Sequence, residues 1–290
     1  MSVTEGDGVP TIELRRVYGE RGLVAETGPA PRLSQSCAHR GSCWKGHETR
    51  RPAAESVADE LAAPWIGNQY ERCRTAVVLE NLNEYGGWDA MGNLARYARS
   101  EFQRGKRMLF AGKYEDGRKY RGTIAWTQAL SYAVAWLALE GELPDARDAQ
   151  GKITCKALAA AVDRVAIVQH VKCSPMGDRS RPSKAMWEHC GGHLLGEELR
   201  ILQPRRIIVL GVDNNLGGLR RLLGLQEVAQ NSTQLGKTTM RCLLLEASGV
   251  RALAVPHPTS RGGSSAKLVA AAARLLGGTQ LASSETTGAS

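Results

Sequence analysis

The order of local patterns predicts an α/β fold, a three-layer αβα sandwich around a mainly parallel sheet. Three observations carry this. Short β-rich apolar runs alternate with segments whose apolar residues recur at spacings of three and four. The runs are apolar on both faces and bounded by turn signals, as in strands covered by helices on either side. Finally, 42% of the 290 residues are apolar, enough for one sizeable core.

Taken in order, residues 1–35 are rich in Gly, Pro, Ser and charge, show little periodicity, and are expected to form a flexible tail. A single domain is expected over 36–276. The polar end, 277–290 (GGTQLASSETTGAS), is expected to be disordered. Within the domain, strands are expected at 75–80 (TAVVLE), 165–172 (VAIVQHVK), 207–211 (IIVLG), 241–246 and 251–255 (RALAV). Helices are expected at 91–102, 123–139, 183–202 and 265–276. The third of these places Trp187, Cys190, Leu194, Leu195, Leu199 and Leu202 on one face. The second covers the longest apolar stretch, but it is short for a membrane span and contains Thr127, Gln128, Ser131 and Tyr132.

Lys and Arg total 38 against 29 Asp and Glu, a net charge of +9, which points toward a polyanionic partner, nucleic acid first. The start lacks a basic-then-apolar leader, so a soluble cytoplasmic protein is expected, without membrane association. Seven Cys is an odd number, which argues against a disulfide framework and leaves the thiols buried, reactive or metal-bound.

Ligands of parallel sheets sit beyond the carboxyl ends of the strands, so the segments after the strands matter most. After the first comes the run Glu80, Asn81, Leu82, Asn83, Glu84, Tyr85, Gly86, Gly87, Trp88. A carboxylate and amides bunched there can orient water or read a base edge, although the same run also reads as an Asn-rich turn. After the last strand come Pro256, His257, Pro258, Thr259, Ser260 and Arg261. Two prolines stiffen the backbone around an imidazole able to donate to a departing anion; a Pro-rich turn with an incidental His is the competing reading. Cys173 and Cys190 are separated by sixteen residues, and Cys37 and Cys43 lie upstream. Four thiolates suit an iron–sulfur cluster or zinc. His39 and His47 flank the upstream pair, so a local Cys/His zinc site competes, and Cys190 also fits a plain buried thiol. The stretch 104–121 (RGKRMLFAGKYEDGRKYR) interleaves cations with aromatic rings, a composition suited to a nucleic-acid strand or to a solvated loop.

In this order the pieces resemble the uracil-DNA glycosylase superfamily, closest to its iron–sulfur (family four) branch. The resemblance is carried by Gln169-His170-Val171-Lys172-Cys173, Pro175, Arg179, Arg181-Pro182, Cys190, Pro204 and Leu210-Gly211, which are similar to the family's N-x-V-K-C, P, N-R-x-P, Cys and L-G pattern. His257-Pro258-Thr259 is similar to its HPS motif, and Leu79-Glu80-Asn81-Leu82-Asn83 to a hybrid of its first motifs. It departs from the pattern at Leu79, Leu82 and Asn83, which replace Gly, Pro and Gly, and at Gln169, which stands where the family has its base-reading Asn.

The resemblance implies a four-stranded central sheet and hydrolysis of the N-glycosidic bond of a damaged or deaminated base in DNA, as in base-excision repair. It implies catalytic roles for Glu80, Asn81 and His257. Base contacts are implied for Gln169, Tyr85, Trp88 and Asn83, and DNA contacts for Ser260, Arg261, Arg179 and Arg181. It further implies a 4Fe–4S cluster on Cys37, Cys43, Cys173 and Cys190, with zinc as the alternative, and a monomer acting at the nucleoid. Competing with an active glycosylase is a non-catalytic, DNA-binding relative, or one that processes nucleotides or modified bases.

Overall fold

The computed structural model describes residues 9–20, 40–43, 63–80, 90–105, 122–172, 182–212, 214–235, 237–257 and 266–285. They form an α/β protein built on one mixed seven-stranded sheet. The strands are β1 (Trp65–Ile66), β2 (Thr75–Leu79), β3 (Val165–Gln169), β4 (Arg206–Leu210), β5 (Gln226–Leu235), β6 (Thr238–Ala247) and β7 (Val250–Val255). Their order across the sheet is β1-β3-β2-β4-β7-β6-β5.

The central four, β3-β2-β4-β7, are mutually parallel. β1, β6 and β5 pair antiparallel at the two sides. The described sheet therefore has seven strands where the resemblance implies four and local pattern gives five: the parallel quartet is present, and antiparallel strands extend it, β6 covering the strand expected at 241–246. β5 escaped detection because its sequence, QEVAQNSTQL, is polar along most of its exposed length. A two-residue strand such as β1 has no periodicity to find.

β2, β3 and β4 are buried at every position, and their alternate residues feed two apolar clusters. On one face Val77, Ile167, Ile208 and Leu253 pack with helices α4 (Ala90–Gln103), α5 (Gly122–Leu139), α6 (Cys155–Val162) and α10 (Ala266–Glu285). On the other, Val78, Val168, Val209 and Ala254 pack with Leu195, with Leu199 and Leu202 of α8 (Gly196–Leu202), and with Leu216 and Leu219 of α9 (Asn214–Leu223). Helices thus cover both faces, which is why these strands carry no polar alternation. The apolar α5 is a core helix, buried almost continuously from Gln128 to Leu137. Among the described residues no helix is long and apolar enough to cross a membrane.

Three shorter helices are α1 (Val9–Glu20), α2 (Arg40–Cys43) and α3 (Tyr70–Cys73). The helix expected over 183–202 begins as α7 (Lys184–Cys190), capped by Ser183, widens into a π-helical turn at Gly191–Leu195, and continues as α8.

A described helix lies within or runs into each segment expected to be a tail. α1 lies inside 1–35, with Leu14, Val17 and Tyr18 buried. It orders because Tyr18 donates to Glu198, a long-range contact that local composition does not encode. At the other end α10 runs on to Glu285, since its Ala- and Leu-rich start nucleates a helix that propagates into the polar residues.

Candidate functional site

Because the four central strands are parallel, their carboxyl ends form one edge. Glu80 follows β2, His170 follows β3, Gly211 follows β4, and Pro256 and His257 follow β7. The backbone at this edge is tied together. His170 N–H donates to Leu79 O, Val171 N–H to Glu80 O and Gly211 N–H to Val255 O, each at 2.9 Å.

Glu80 and His257 meet here. His257 Nε2 lies 4.0 Å from Glu80 Oε2, with the side chains 30% and 25% exposed. The segments are remote in sequence, and β4 stands between their strands. Two strand spacings amount to roughly 10 Å, so both side chains must reach over the end of β4. The residue there is Gly211, at φ +106°, and a Cβ on it would fall 2.5 Å from Glu80 Oε1. Only glycine supplies both the backbone geometry and the gap.

The pair is too far apart for a direct hydrogen bond and close enough for both groups to act on one small reacting centre. Burial lowers the His257 pKa to about 4, so at neutral pH the ring is an uncharged donor and acceptor.

Gln169, in register with Leu79, ends β3 at the same edge. It is 3% exposed, and its Nε2 donates to Met91 Sδ at 3.2 Å. A thioether is a weak acceptor, so the amide gives up little in turning to a stronger one.

The thiol constellation is partly described. Cys43 ends α2, and its carbonyl accepts from Ser183 Oγ at 2.9 Å. Cys190 ends α7. Cys43 and Cys190 belong to one small apolar cluster with Leu14, Tyr18, Met186 and Val171, and Val171 precedes Cys173 by two residues. No disulfide joins the described cysteines. Among the described residues no three His, Cys, Asp or Glu side chains form a metal-binding group. Asn81, Asn83, Tyr85, Trp88, Arg179, Arg181, Ser260, Arg261, Cys37, Cys173, His39, His47 and most of 104–121 lie outside the described residues.

Several residues at or behind this edge had no role assigned from the sequence. Gly211 is an unremarkable strand terminator until its φ is known. Lys172 and Glu198 form an ion pair with each side chain 1% exposed, and Tyr18 also donates to Glu198. Burial pushes the Glu198 carboxyl up, against the pull of Lys172 and Tyr18. His170, 1% exposed, places Nδ1 2.8 Å from Asn215 Oδ1. Burial holds its pKa at about 4, opposed by Asn215 and helped by Lys172.

The shift on His170 has a pH signature. The unfolded chain takes up the proton near pH 6.5 and the native ring only near 4, so the native state's advantage is full above 6.5 and shrinks as pH falls toward 4. Relative to His170→Asn, which cannot titrate, the wild type is expected to lose on the order of 3 kcal/mol of stability across that window. Urea denaturation of both proteins at a series of pH values measures this; a gap independent of pH would show that the ring titrates alike in the native and unfolded chains.

No protein-family model matches the chain, and no curated protein matches it.

Proposed function

We propose that this chain is a DNA glycosylase of the uracil-DNA glycosylase type, hydrolysing the N-glycosidic bond of a damaged or deaminated base. The observation that carries the proposal is the meeting of Glu80 and His257, 4.0 Å apart, at the carboxyl edge of the four parallel strands. The helices on both sheet faces suit the three-layer architecture of that superfamily, with the four parallel strands as its centre and the antiparallel ones as additions. The net charge of +9 suits a DNA substrate.

In this mechanism the target nucleotide leaves the stack and its base reaches the Glu80–His257 edge. The C1′–N bond breaks with its electron pair going to the base, which departs as an anion, and the sugar becomes cationic. His257, neutral at pH 7, donates an N–H hydrogen bond to the anion. Glu80 stabilises the sugar and, with Asn81, orients the water that completes the hydrolysis; a proton from that water passes to the carboxylate. Gln169 turns from Met91 to read the base edge, where its amide reaches one methylene farther than the asparagine of the resembling family. Tyr85, Trp88 and Asn83 complete the base pocket, while Ser260, Arg261, Arg179 and Arg181 hold the DNA backbone.

The donor set of four thiolates fits a 4Fe–4S cluster, which Cys37, Cys43, Cys173 and Cys190 would hold. The packing of Cys43, Cys190 and Val171 into one cluster supports that set. Bound there, the group would tie the N-terminal segments to Cys173 and to Cys190 at the end of α7, a structural role, since the hydrolysis transfers no electron. Protein purified without oxygen is expected to be brown with about four iron atoms per chain, and Cys43→Ser or Cys190→Ser to lose most of that iron. A colourless protein holding one zinc would replace the cluster with zinc.

We place the protein at the nucleoid as a monomer. The deciding experiment is base release from oligonucleotides carrying uracil, hypoxanthine, xanthine or hydroxymethyluracil, single- and double-stranded. DNA binding with a steep salt dependence but no release would instead mark a non-catalytic member of the class, and release only from free nucleotides a nucleotide-processing one.

A further inference from the structure

Behind the Glu80–His257 edge lies a buried polar unit to which the mechanism above gives no role. We propose that His170 and Asn215 are positioning residues, which hold the ends of β2 and β4 in the register that sets Glu80 against His257; this deepens the glycosylase reading and rests on it.

Asn215 is fully buried. Its Nδ2 donates to Val78 O at 3.1 Å and to Leu210 O at 2.9 Å, the penultimate residue of β2 and the last of β4. One amide therefore clamps the two strands just before Glu80 and Gly211. Both amide hydrogens are spent on carbonyls, which fixes Oδ1 as the group facing His170 Nδ1, 2.8 Å away. An oxygen facing that nitrogen requires Nδ1 to carry the hydrogen. Nε2 lies 3.3 Å from the carbonyl of Trp187, whose indole packs edge-on against the ring at 4.6 Å.

The protein is also shaped around this imidazole. A Cβ on Gly218 of α9 would lie 2.2 Å from His170 Cε1, and one on Gly191, at the π-helical turn, 2.5 Å from Nε2. Two glycines on two elements open the slot that the flat ring occupies. From the slot the connections run to both reacting groups. Asn215 holds Val78, two residues before Glu80, and Leu210, next to Gly211. Gly211 N–H holds Val255, two residues before His257. His170's own N–H holds Leu79. The reacting groups thus stand on one continuous network with the His170–Asn215 pair at its centre. Since a misplacement of about 1 Å at a reacting centre costs on the order of a hundredfold in rate, such a brace has kinetic consequences.

The test compares Asn215→Leu, Asn215→Asp, His170→Leu and His170→Asn in the full chain, each assayed where circular dichroism shows it folded. Readouts are kcat and KM for base release and the NMR titration of the His257 ring. Both leucine variants and Asn215→Asp, whose carboxylate cannot donate to two carbonyls, are expected to lose roughly tenfold to a hundredfold in kcat with KM changed less than about threefold. Their His257 titration is expected to move toward the ordinary histidine range. His170→Asn places an amide N–H close to the position of Nδ1 and is expected to retain most of kcat. Should the leucine variants fail to fold, the contrast between Asn215→Asp and His170→Asn carries the same comparison. Folded Asn215→Asp with wild-type kcat and an unmoved His257 titration would overturn the positioning role. If the wild type releases no base at all, the glycosylase reading fails, while the His257 titration still decides whether this pair sets the site.

Discussion

His257→Ala is expected to lower the rate of base release at least about a hundredfold while DNA affinity stays close to that of the wild type. In the proposed mechanism the leaving base carries the negative charge of the transition state, and removing one preorganised donor to such a charge typically costs on the order of a hundredfold to a thousandfold. The ring follows Pro256 at the end of β7, and burial keeps it neutral, with a pKa of about 4. A neutral donor has a further consequence: activity should not fall as pH rises through 6 to 8, where an ordinary histidine would lose its proton. Single-turnover kinetics with a fluorescent oligonucleotide, paired with a binding isotherm for each protein, measure both parts. Unchanged turnover in His257→Ala would remove the imidazole from the mechanism, and a parallel loss of binding would make it a DNA contact.

The second large effect is on stability. Lys172→Met is expected to destabilise the fold by about 3–5 kcal/mol, because it leaves the Glu198 carboxyl buried without its cation. For a chain of this size that corresponds to a fall in Tm on the order of 10 °C. The paired change Lys172→Met with Glu198→Leu is expected to recover much of the loss, since a well-packed apolar pair replaces a buried ionic one at little net cost. Thermal denaturation of the single and double variants reads this directly. The double variant also severs the Tyr18 contact, so α1 should become sensitive to proteolysis although the sheet remains folded. A single variant as stable as the wild type would show that Lys172 and Glu198 are hydrated in solution.

The site shows how far local pattern reaches. TAVVL, VAIVQ, RIIVL and VRALAV are legible as strands because each is an apolar run closed by a turn signal, and burial on both faces is the condition that produces such runs. Once a parallel sheet is expected, the segments beginning at Glu80 and His257 fall at its carboxyl edge by topology alone. The strand expected over 165–172 stops instead at Gln169, because His170 enters the slot between Gly191 and Gly218 and Lys172 turns to Glu198.

What the sequence determined by itself is therefore the class of fold, the parallel quartet of strands and the two segments that carry the acid and the imidazole. The tertiary structure alone decided that β4 stands between those segments with a glycine at its tip, that β1 and β5 extend the sheet, and that α1 is ordered. It also decided that a histidine–asparagine unit lies behind the site. The physical reason is range. Apolar periodicity is written into neighbouring residues, whereas the gap at Gly211, the slot around His170 and the Lys172–Glu198 pair depend on atoms brought together from distant parts of the chain, and no local window contains both sides of such a contact.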